Sequence, residues 1–380
     1  MLGSVIVRQI AQSLHESPSL DKVSERLYRN LKNAELENIV SENLLKNNCS
    51  KATHDTYFLV DGSDIIKPES NKLEGLDRIR DGSTGNCEKG FHLLNITSLT
   101  SKGRYYSILP ICSHLYSNKI DIDTSSNILE DKLVDITIHS NNKGTYVFDR
   151  GYDDKKLLKI LSDNDNSYIL RCKSNRNLVV DNKEQKLVDV ARDIKRKYEY
   201  IMPNGKKLMC GIKKVRIITS PHKLKNPVTI ETYLVVARYG KKGGLFYFYC
   251  DFNDDSLTDY QIIIKALKGY GYRWKIEEYH RHVKQEFNWE KVQLMSYVGL
   301  KNINSLLMIA VDIIYSSIKY IDELLHLFPE FGEIKKKDLK FIYYRLGRVI
   351  SHIFNNTKLN KLIPHKGEYH DKLQLRINFS

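Results

Sequence analysis

The stretch YFLVDGSD, residues 57–64, is an apolar run of strand length that ends in Asp61 and is followed by glycine. A second stretch of the same kind, GTYVFD at residues 144–149, ends in Asp149. Buried strands are short apolar runs bounded by turn-forming residues, so we expect a strand and then a turn at both places. The two aspartates become one candidate site if the fold brings the ends of their strands together.

The order of the surrounding elements predicts whether the fold brings these two strand ends together. Two further strands are predicted at residues 90–98 and 104–111 after a polar loop at 65–89, and residues 125–139 have helical spacing. This order is typical of a ribonuclease-H-like core: a strand that ends in an acid, two more strands, a helix, a second strand that ends in an acid, and then helices. Such a sheet places its first and fourth strands side by side, so we expect Asp61 and Asp149 to be neighbours.

The pattern changes after residue 167, where β-rich runs alternate with turns as far as Phe252. From Asp259 onward the spacing is helical, at 259–268, 270–288, 301–325 and 336–355. The predicted fold class is α/β, with a ribonuclease-H-like mixed-sheet catalytic core, a β-rich insertion, and helical N- and C-terminal regions. The predicted regions are 1–52 (short and helical, with possible DNA contact), 53–166 (first part of the core), 167–255 (insertion), 256–320 (last part of the core) and 321–380 (helical, for dimerisation).

The charge balance is strongly basic, with 60 Lys and Arg against 46 Asp and Glu, a net charge of +14 and a pI near 9.2. Such a surplus favours a polyanionic partner, because each phosphate that a cation neutralises releases a condensed counterion. General solubility or an AT-rich genome explains the same balance, so charge alone does not decide. The six cysteines form no CxxC pair, which argues against a zinc site. No apolar run reaches membrane-spanning length and no signal peptide is evident, so no membrane partner is expected.

A helix predicted near residue 270 carries a stripe of polar residues beside its apolar face. At about 100° per residue, one arc holds Tyr270, Arg273, Glu277 and Lys284. A solvated stripe with Arg273 and Glu277 as an i,i+4 pair explains this spacing too, and for the helix alone it is the commoner explanation. Cleavage of a phosphodiester, however, needs two divalent ions, and Mg²⁺ prefers carboxylate oxygens. A third acid beside Asp61 and Asp149, with cations for the phosphates, would meet that need.

The segment YGYRWKIEEYHRHVK, residues 270–284, fits the pattern Y-x2-R-x3-E-x6-K. It resembles the signature of the insertion-sequence-four family of DDE transposases, which are ribonuclease-H-like proteins with a β insertion before the last acid. DGSD at 61–64 and DRGYD at 149–153 resemble the first and second acid motifs of that family, with Ser63 where many relatives have threonine. The resemblance covers roughly residues 55–315, and its three motifs occur in the expected order.

This resemblance implies a role for each matching residue. Asp61, Asp149 and Glu277 would be catalytic and would bind two Mg²⁺ ions, for which Mn²⁺ can substitute. Arg273 and Lys284 would hold backbone phosphates, and Tyr270 would contact a phosphate or sugar. Trp274 is expected to pack in the core rather than to stack near DNA.

Other residues compete for these roles. Asp64 is a rival first acid, Asp153 and Asp154 are rival second acids that we expect to cap the next helix, and Glu278 lies about 100° round the helix from Glu277. His280 and His282 are i,i+2 neighbours that do not share a helix face, so metal binding by the pair is disfavoured.

The sequence therefore predicts a transposase of an insertion sequence that acts on double-stranded DNA, namely the terminal repeats of its element and target DNA. A homodimer on DNA and a cytoplasmic, bacterial-type, nucleoid-associated location are expected. About 55 residues precede the strand that ends in Asp61, fewer than in many relatives, so a shortened N-terminal region is expected. A degenerate copy that binds DNA without cutting it, and a metal nuclease without joining activity, are the alternatives.

Overall fold

The computed structural model describes most of the chain, namely residues 3–82, 84–102, 105–123, 125–219, 228–240, 243–327 and 342–362. Residues 328–341 and 363–380 of the predicted C-terminal region lie outside this part. They include residues 336–341, the start of the helix predicted at 336–355.

Twelve strands are present in the described residues: β1 (Tyr57–Ile66), β2 (Asp77–Arg80), β3 (Cys87–Lys102), β4 (Tyr105–Tyr116), β5 (Thr145–Phe148), β6 (Tyr168–Arg171), β7 (Asn177–Val180), β8 (Lys183–Lys186), β9 (Tyr198–Ile201), β10 (Lys207–Ile218), β11 (Thr229–Tyr239) and β12 (Leu245–Asp251). The α-helices are α1 (Val7–Leu14), α2 (Leu20–Asn30), α3 (Leu36–Cys49), α4 (Ser125–His139), α5 (Lys155–Asp163), α6 (Leu187–Asp193), α7 (Asp259–Tyr272), α8 (Trp274–Glu286), α9 (Tyr297–Ser316), α10 (Ile321–Leu327) and α11 (Ile342–Leu362).

The strands form one mixed sheet in the order β2-β3-β1-β5-β6-β12-β11-β10-β7-β8, with β4 also paired to β3 and β9 to β10. Strands β4, β3 and β1 pair antiparallel, whereas β1, β5 and β6 pair parallel. The chain is thus an α/β protein with a large mixed sheet, which is compatible with the predicted core.

The parallel pairing of β1 and β5 brings the two candidate aspartates together. The register joins Tyr57 to Thr145 and Val60 to Phe148. Asp61 and Asp149 each follow the last paired residue, so their backbones lie side by side at one edge of the sheet. The order of elements had predicted this neighbourhood.

Two details of the sequence interpretation were wrong. Strand β1 does not turn after Asp61 but continues to Ile66, because β3 is long enough to pair with it from Leu99 back to Gly90. The predicted loop at 65–89 contains β2, which pairs with the start of β3. Glycine and serine in a strand signal a turn only when no partner strand satisfies their backbone groups.

Strand β6 opens the region predicted as an insertion, yet it pairs parallel with β5. The strands that follow β6 continue the same sheet, since β12 pairs antiparallel with β6, β11 with β12 and β10 with β11. The β-rich region is therefore joined to the acid-bearing strands by an unbroken hydrogen-bonded ladder.

Helices cover both faces of the sheet. Buried residues of α7, α8, α9 and α11 form the core on one face, and buried residues of α3, α4, α5 and α6 form the core on the other. The segment Tyr297–Leu324 is long and apolar enough to span a membrane by composition, but 67% of its most apolar window is buried inside the protein. It serves as the central core helix.

The N-terminal helices pack on the main body. The Val5 N–H donates to the Phe287 carbonyl at 2.9 Å, and the Asn302 side chain donates to the Leu31 carbonyl at 2.8 Å. These bonds anchor α1 and α2 to α8 and α9, so in this structure they form a helical hairpin docked on the core.

Candidate active site

The helix that carries the Tyr, Arg, Glu and Lys stripe is not continuous. A turn at Arg273 separates α7 from α8, because the Arg273 N–H donates to the Tyr270 carbonyl at 3.0 Å and the Ile276 N–H to the Arg273 carbonyl at 3.1 Å. These i to i+3 bonds tighten the helix locally. Two helices were predicted, at 259–268 and 270–288, but the boundary between them lies at Arg273 instead of residue 269. Tyr270 and Glu277 therefore lie on opposite sides of it.

Two side chains of this junction reach acidic groups. The Tyr270 hydroxyl donates to Oδ1 of Asp149 at 2.8 Å. The Arg273 guanidinium pairs with the Glu277 carboxylate, with Nη2 to Oε1 at 2.5 Å. The junction thus attaches one end of α7 to the second aspartate and holds Glu277 in the first turn of α8.

Asp61 occupies the most buried position of the three acids. Its carboxylate accepts the Gly62 N–H at 3.1 Å and lies 4.0 Å from Nδ1 of His280. Burial raises the pKa of Asp61 to about 6. The positive charge of Arg273 opposes this rise, and the negative charges of Glu277 and Asp149 add to it. The three carboxylates therefore act on one another electrostatically.

The pKa of Asp149 shifts in the opposite direction. Burial raises its pKa, but the Arg150 N–H, the Tyr270 hydroxyl and the positive charges of Arg273 and Arg171 more than offset that effect, so its net pKa is lowered. Asp149 is thus the better stabilised carboxylate, and Asp61 is the one that most lacks a cation.

Arg273 supplies the positive charge shared by the three acids. Its guanidinium is mostly buried and acts on Asp61, Asp149 and Glu277 together. Across the described ranges, no group of three or more His, Cys, Asp or Glu side chains is arranged to hold a metal ion. The donor set is nonetheless all carboxylate oxygen, which suits Mg²⁺ or Mn²⁺ once Glu277 leaves Arg273.

Lys284 lies farther along α8 than the other residues of the stripe. Its ammonium is 3.6 Å from a carboxylate oxygen of Glu290, and its charge acts on Asp64 and His280. The structure therefore brings Tyr270 and Arg273 to the three acids, while Lys284 borders the site.

The rival acids have other partners. Asp64 accepts the Gly82 N–H at 3.3 Å and faces His92 at 3.8 Å, so it points away from Asp149. Glu278 pairs with Lys275 at 2.9 Å on another side of α8.

The two acids after Asp149 differ from each other. Asp154 caps α5 by accepting the Lys156 N–H at 2.7 Å, as predicted. Asp153 does not cap the helix. Its fully buried carboxylate pairs with Nε of Arg176 and accepts the Lys173 N–H. Burial next to a later loop, which sequence spacing does not reveal, explains this correction.

The histidines of the HxH motif point in different directions, as expected from their i,i+2 spacing. His280 is buried beside Asp61, and its Nε2 has no hydrogen-bond partner in the described structure. His282 is buried elsewhere, with Nδ1 3.0 Å from the Tyr315 hydroxyl.

Trp274 does not pack in the core, contrary to the prediction. Its side chain is 41% exposed, and the Lys275 ammonium lies 4.1 Å from its ring centroid. The break at Arg273 turns the start of α8 outward, and Trp289 is the tryptophan that is fully buried.

Arg171 is a site residue that the sequence interpretation missed. It ends β6, directly beside the end of β5, and its Nη1 donates to the Tyr270 hydroxyl at 3.3 Å. The sequence did contain a signal, since YILR at 168–171 is another apolar strand that ends in a charged residue.

One comparison with known proteins identifies a family. The family model described as Transposase DDE domain matches residues 60–313, a range that includes all three acids. No curated protein matches the chain. The crystal structure of the NurA nuclease from Sulfolobus solfataricus matches at 10% identity over 68% of this chain and 95% of that chain, with a TM-score of 0.26, which is too low to indicate a shared fold.

Proposed function

Because the chain belongs to the transposase DDE domain family, we propose that it cuts the ends of an insertion sequence and joins them to target DNA. Asp61, Asp149 and Glu277 are the proposed catalytic acids. The detailed membership in the insertion-sequence-four family, with Tyr270, Arg273 and Lys284 completing its signature, is part of this proposal.

One observation carries the proposal. Asp61 and Asp149 end neighbouring parallel strands, and Arg273 links both of them electrostatically to Glu277. Burial first, and then the charges of Glu277 and Asp149, raise the pKa of Asp61, and a bound cation would offset both effects. Catalytic use of this carboxylate cluster is a better explanation than stability, because unpaired buried charge is costly.

Asp61, Asp149 and Glu277 would hold two Mg²⁺ ions, or Mn²⁺ in their place. When bound, such a pair activates the attacking hydroxyl and stabilises the leaving oxygen of the phosphodiester. Glu277 would exchange its bond with Arg273 for this role, and the freed guanidinium would then be available to a DNA phosphate in bidentate geometry.

The other residues of the signature would position the substrate. Tyr270 orients Asp149 through its hydroxyl. Lys284, at the border of the site, would hold a backbone phosphate at a greater distance from the cut. His280 would restrict the orientation of Asp61 from the buried side.

The proposed reaction consists of two exchanges at phosphorus. Water attacks the phosphate at the transposon end, the bond from phosphorus to the 3′ oxygen breaks, and that oxygen takes up a proton to become a free 3′-OH. The 3′-OH then loses its proton and attacks a phosphate, either of the opposite strand to form a hairpin or of target DNA. The bond from that phosphorus to its former 3′ oxygen breaks, and the expelled oxygen takes up a proton, so that one phosphodiester replaces another.

Pairing of two transposon ends would require a second copy of the chain, so a homodimer on DNA is proposed, with the C-terminal region at 321–380 as its contact region. The proposed location is the bacterial cytoplasm at the nucleoid.

The test is cleavage of a labelled duplex that carries the terminal repeat of the element, with Mg²⁺ or Mn²⁺. We expect wild type to cut and join, and Glu277→Gln to lose cleavage by on the order of a thousandfold. Glu278→Gln is the matched control, because it makes the same change one position along α8 at a residue that pairs with Lys275.

Equal activity in Glu277→Gln and wild type would refute the assignment of the third acid. DNA binding by wild type without any cleavage would favour the degenerate copy, and cleavage without strand-transfer products would favour the metal nuclease.

A further inference from the structure

The positive charge of the chain is concentrated in one part of it. Residues 168–252, here called the basic segment, contain 19 Lys and Arg against seven Asp and Glu. The rest of the chain contains 41 Lys and Arg against 39 Asp and Glu. Almost all of the net charge therefore belongs to the segment that contains the strands beyond β5 and the turns that connect them.

Strand directions show which part of the basic segment lies beside the acids. Strand β6 runs parallel to β5, so Arg171 lies at the edge that holds Asp149. Strand β12 starts at that edge and β11 ends there, since Arg238 pairs with Leu245. Strand β10 starts there as well, since Leu208 pairs with Tyr239. Lys207 and its neighbour Lys206 thus lie on the same edge.

Side-chain contacts join these points into a continuous row. The Arg171 guanidinium lies 5.6 Å from the Phe246 ring centroid, and the rings of Phe246 and Tyr239 are 5.3 Å apart. The Tyr239 hydroxyl lies 3.2 Å from the Met202 sulfur, in the turn that precedes Lys206. Packed aromatic rings between the cations give the row a fixed shape.

We propose that this edge, from Arg171 to Lys206 and Lys207, binds the phosphate backbone of duplex DNA beyond the cut site. This inference rests on the proposed function, because it places the duplex relative to Asp149. Four strand spacings of about 4.8 Å separate β5 from β10, or roughly 19 Å. The registers also shift Lys207 outward, because Ile212 is the residue of β10 level with Arg171 and Lys207 lies five residues farther along the strand, or about 17 Å. The combined separation is about 25 Å, so at about 3.4 Å per base pair Lys206 and Lys207 meet phosphates roughly seven to eight base pairs from the cleaved bond.

Exposure and charge at the far end of the row suit a phosphate contact. The Lys207 side chain is 64% exposed and pairs with Glu199 at 3.0 Å. An exposed ion pair of this kind contributes little, so a phosphate can replace Glu199 at small cost. Lys206 lies in the exposed turn between β9 and β10.

The chain offers a matched control at the other end of the sheet. Lys183 and Lys186 are also exposed lysines of the basic segment. They lie on β8, which pairs with β7, and β7 pairs with β10 at Arg216. At about 3.4 Å per residue, that position is on the order of 25 to 35 Å from Lys207 along the strand.

The experiment measures binding of full-length protein to the terminal-repeat duplex over a range of KCl concentrations without divalent metal. The variants are Lys206→Ala/Lys207→Ala and Lys183→Ala/Lys186→Ala. The slope of log K against log salt should become shallower by about two for the first variant, at about 0.9 per lost phosphate contact. The second variant should keep the wild-type slope. Phosphate-ethylation interference should disappear, in the first variant only, at the phosphates roughly seven to eight base pairs from the cut.

Equal slopes in the two variants would overturn the inference and would mean that the basic segment attracts DNA only through its diffuse charge. Absence of DNA binding by wild type would overturn it as well. Failure of the proposed function has a different outcome, in which wild type does not cleave with Mg²⁺ while the slopes of the two variants still differ.

Discussion

The basic segment and the rest of the chain share one sheet but differ in charge. The basic segment, which contains β6 to β12, is strongly basic, whereas the rest of the chain, which contains all three candidate acids, is close to neutral. Arg273 and Arg171 already lie beside the carboxylates, and further cations there would compete with metal ions for them. Cations placed farther along the edge can attract DNA over a longer range without that competition. The comparison indicates that the sheet separates substrate attraction from chemistry.

The largest expected effect tests the acid side of this comparison. Asp149→Asn should reduce DNA cleavage by on the order of a thousandfold, because the amide cannot serve as an anionic metal ligand. Salt-dependent DNA binding should remain, since the basic segment is unchanged. Cleavage and binding assays on the same preparation measure both quantities.

Asp154→Asn is the control for Asp149→Asn. Asparagine caps a helix about as well as aspartate, so α5 and the activity should both be preserved. If Asp154→Asn abolished cleavage and Asp149→Asn did not, the second acid would be misassigned.

The next largest effect concerns the joint between the two regions. Arg176 in the basic segment pairs with the fully buried Asp153, which follows β5. Arg176→Met should lower the free energy of unfolding by about 3–5 kcal/mol, because it leaves a buried carboxylate without its cation. Urea denaturation measures this loss, and a single transition would show that the regions unfold together.

Arg192→Met provides the comparison for that measurement. Arg192 pairs with Asp189 at the surface, with side chains 72% and 53% exposed, and the loss should be about 0–1 kcal/mol. Equal losses in the two variants would contradict a structural role for the buried pair.

Much of the acid-bearing region could be predicted from sequence because its information is local. Apolar runs that end in Asp61 and Asp149, and the helical spacing of 125–139, depend only on neighbouring residues, and the structure has α4 at Ser125–His139. The continuation of β1 past Gly62 depends on a partner strand some 30 residues away, and no local pattern reports that pairing.

The site was less predictable than the strands. The i,i+4 spacing of Arg273 and Glu277 allowed for an ion pair, which the structure contains, and a break between two helices was predicted, but about four residues before its actual position at Arg273. The contact of Arg171 with Tyr270 joins residues 99 positions apart and follows from sheet order alone. Burial of Asp153 by Arg176 depends on the same kind of long-range packing.

A pH-dependent effect of intermediate size is expected in the helical layer over the acid-bearing strands. Burial lowers the pKa of His282 to about 4, and the groups that face it are the Tyr315 hydroxyl and the rings of Phe287 and Tyr344. The unfolded chain, with a histidine pKa of about 6.5, takes up the proton first as pH falls. The contribution of His282 to the free energy of unfolding should therefore be constant above about pH 6.5 and decline below it.

For His282 this decline should amount to about 2–3 kcal/mol between pH 6.5 and 4.5. His282→Gln should remove that part of the slope, and the difference between the variant and wild type in urea denaturation isolates it from other histidines. Identical pH dependence in both proteins would mean that His282 is accessible to protons in the folded state.

The smallest expected effect tests the point where the two regions meet. The Tyr270 hydroxyl donates to Asp149 and accepts from Arg171, and its ring packs against Phe248 at 4.8 Å between centroids. Tyr270→Phe keeps the ring and removes both hydrogen bonds. The turnover rate should fall about tenfold, because one hydrogen bond to a charged group contributes roughly 1.5 kcal/mol.

DNA affinity of Tyr270→Phe should change by no more than about twofold, because Arg171 and the other cations of the edge remain. A turnover rate equal to wild type would mean that Tyr270 does not orient Asp149. An equal loss of affinity and turnover would mean instead that the hydroxyl binds the DNA directly, so that attraction and chemistry are not separated at this residue.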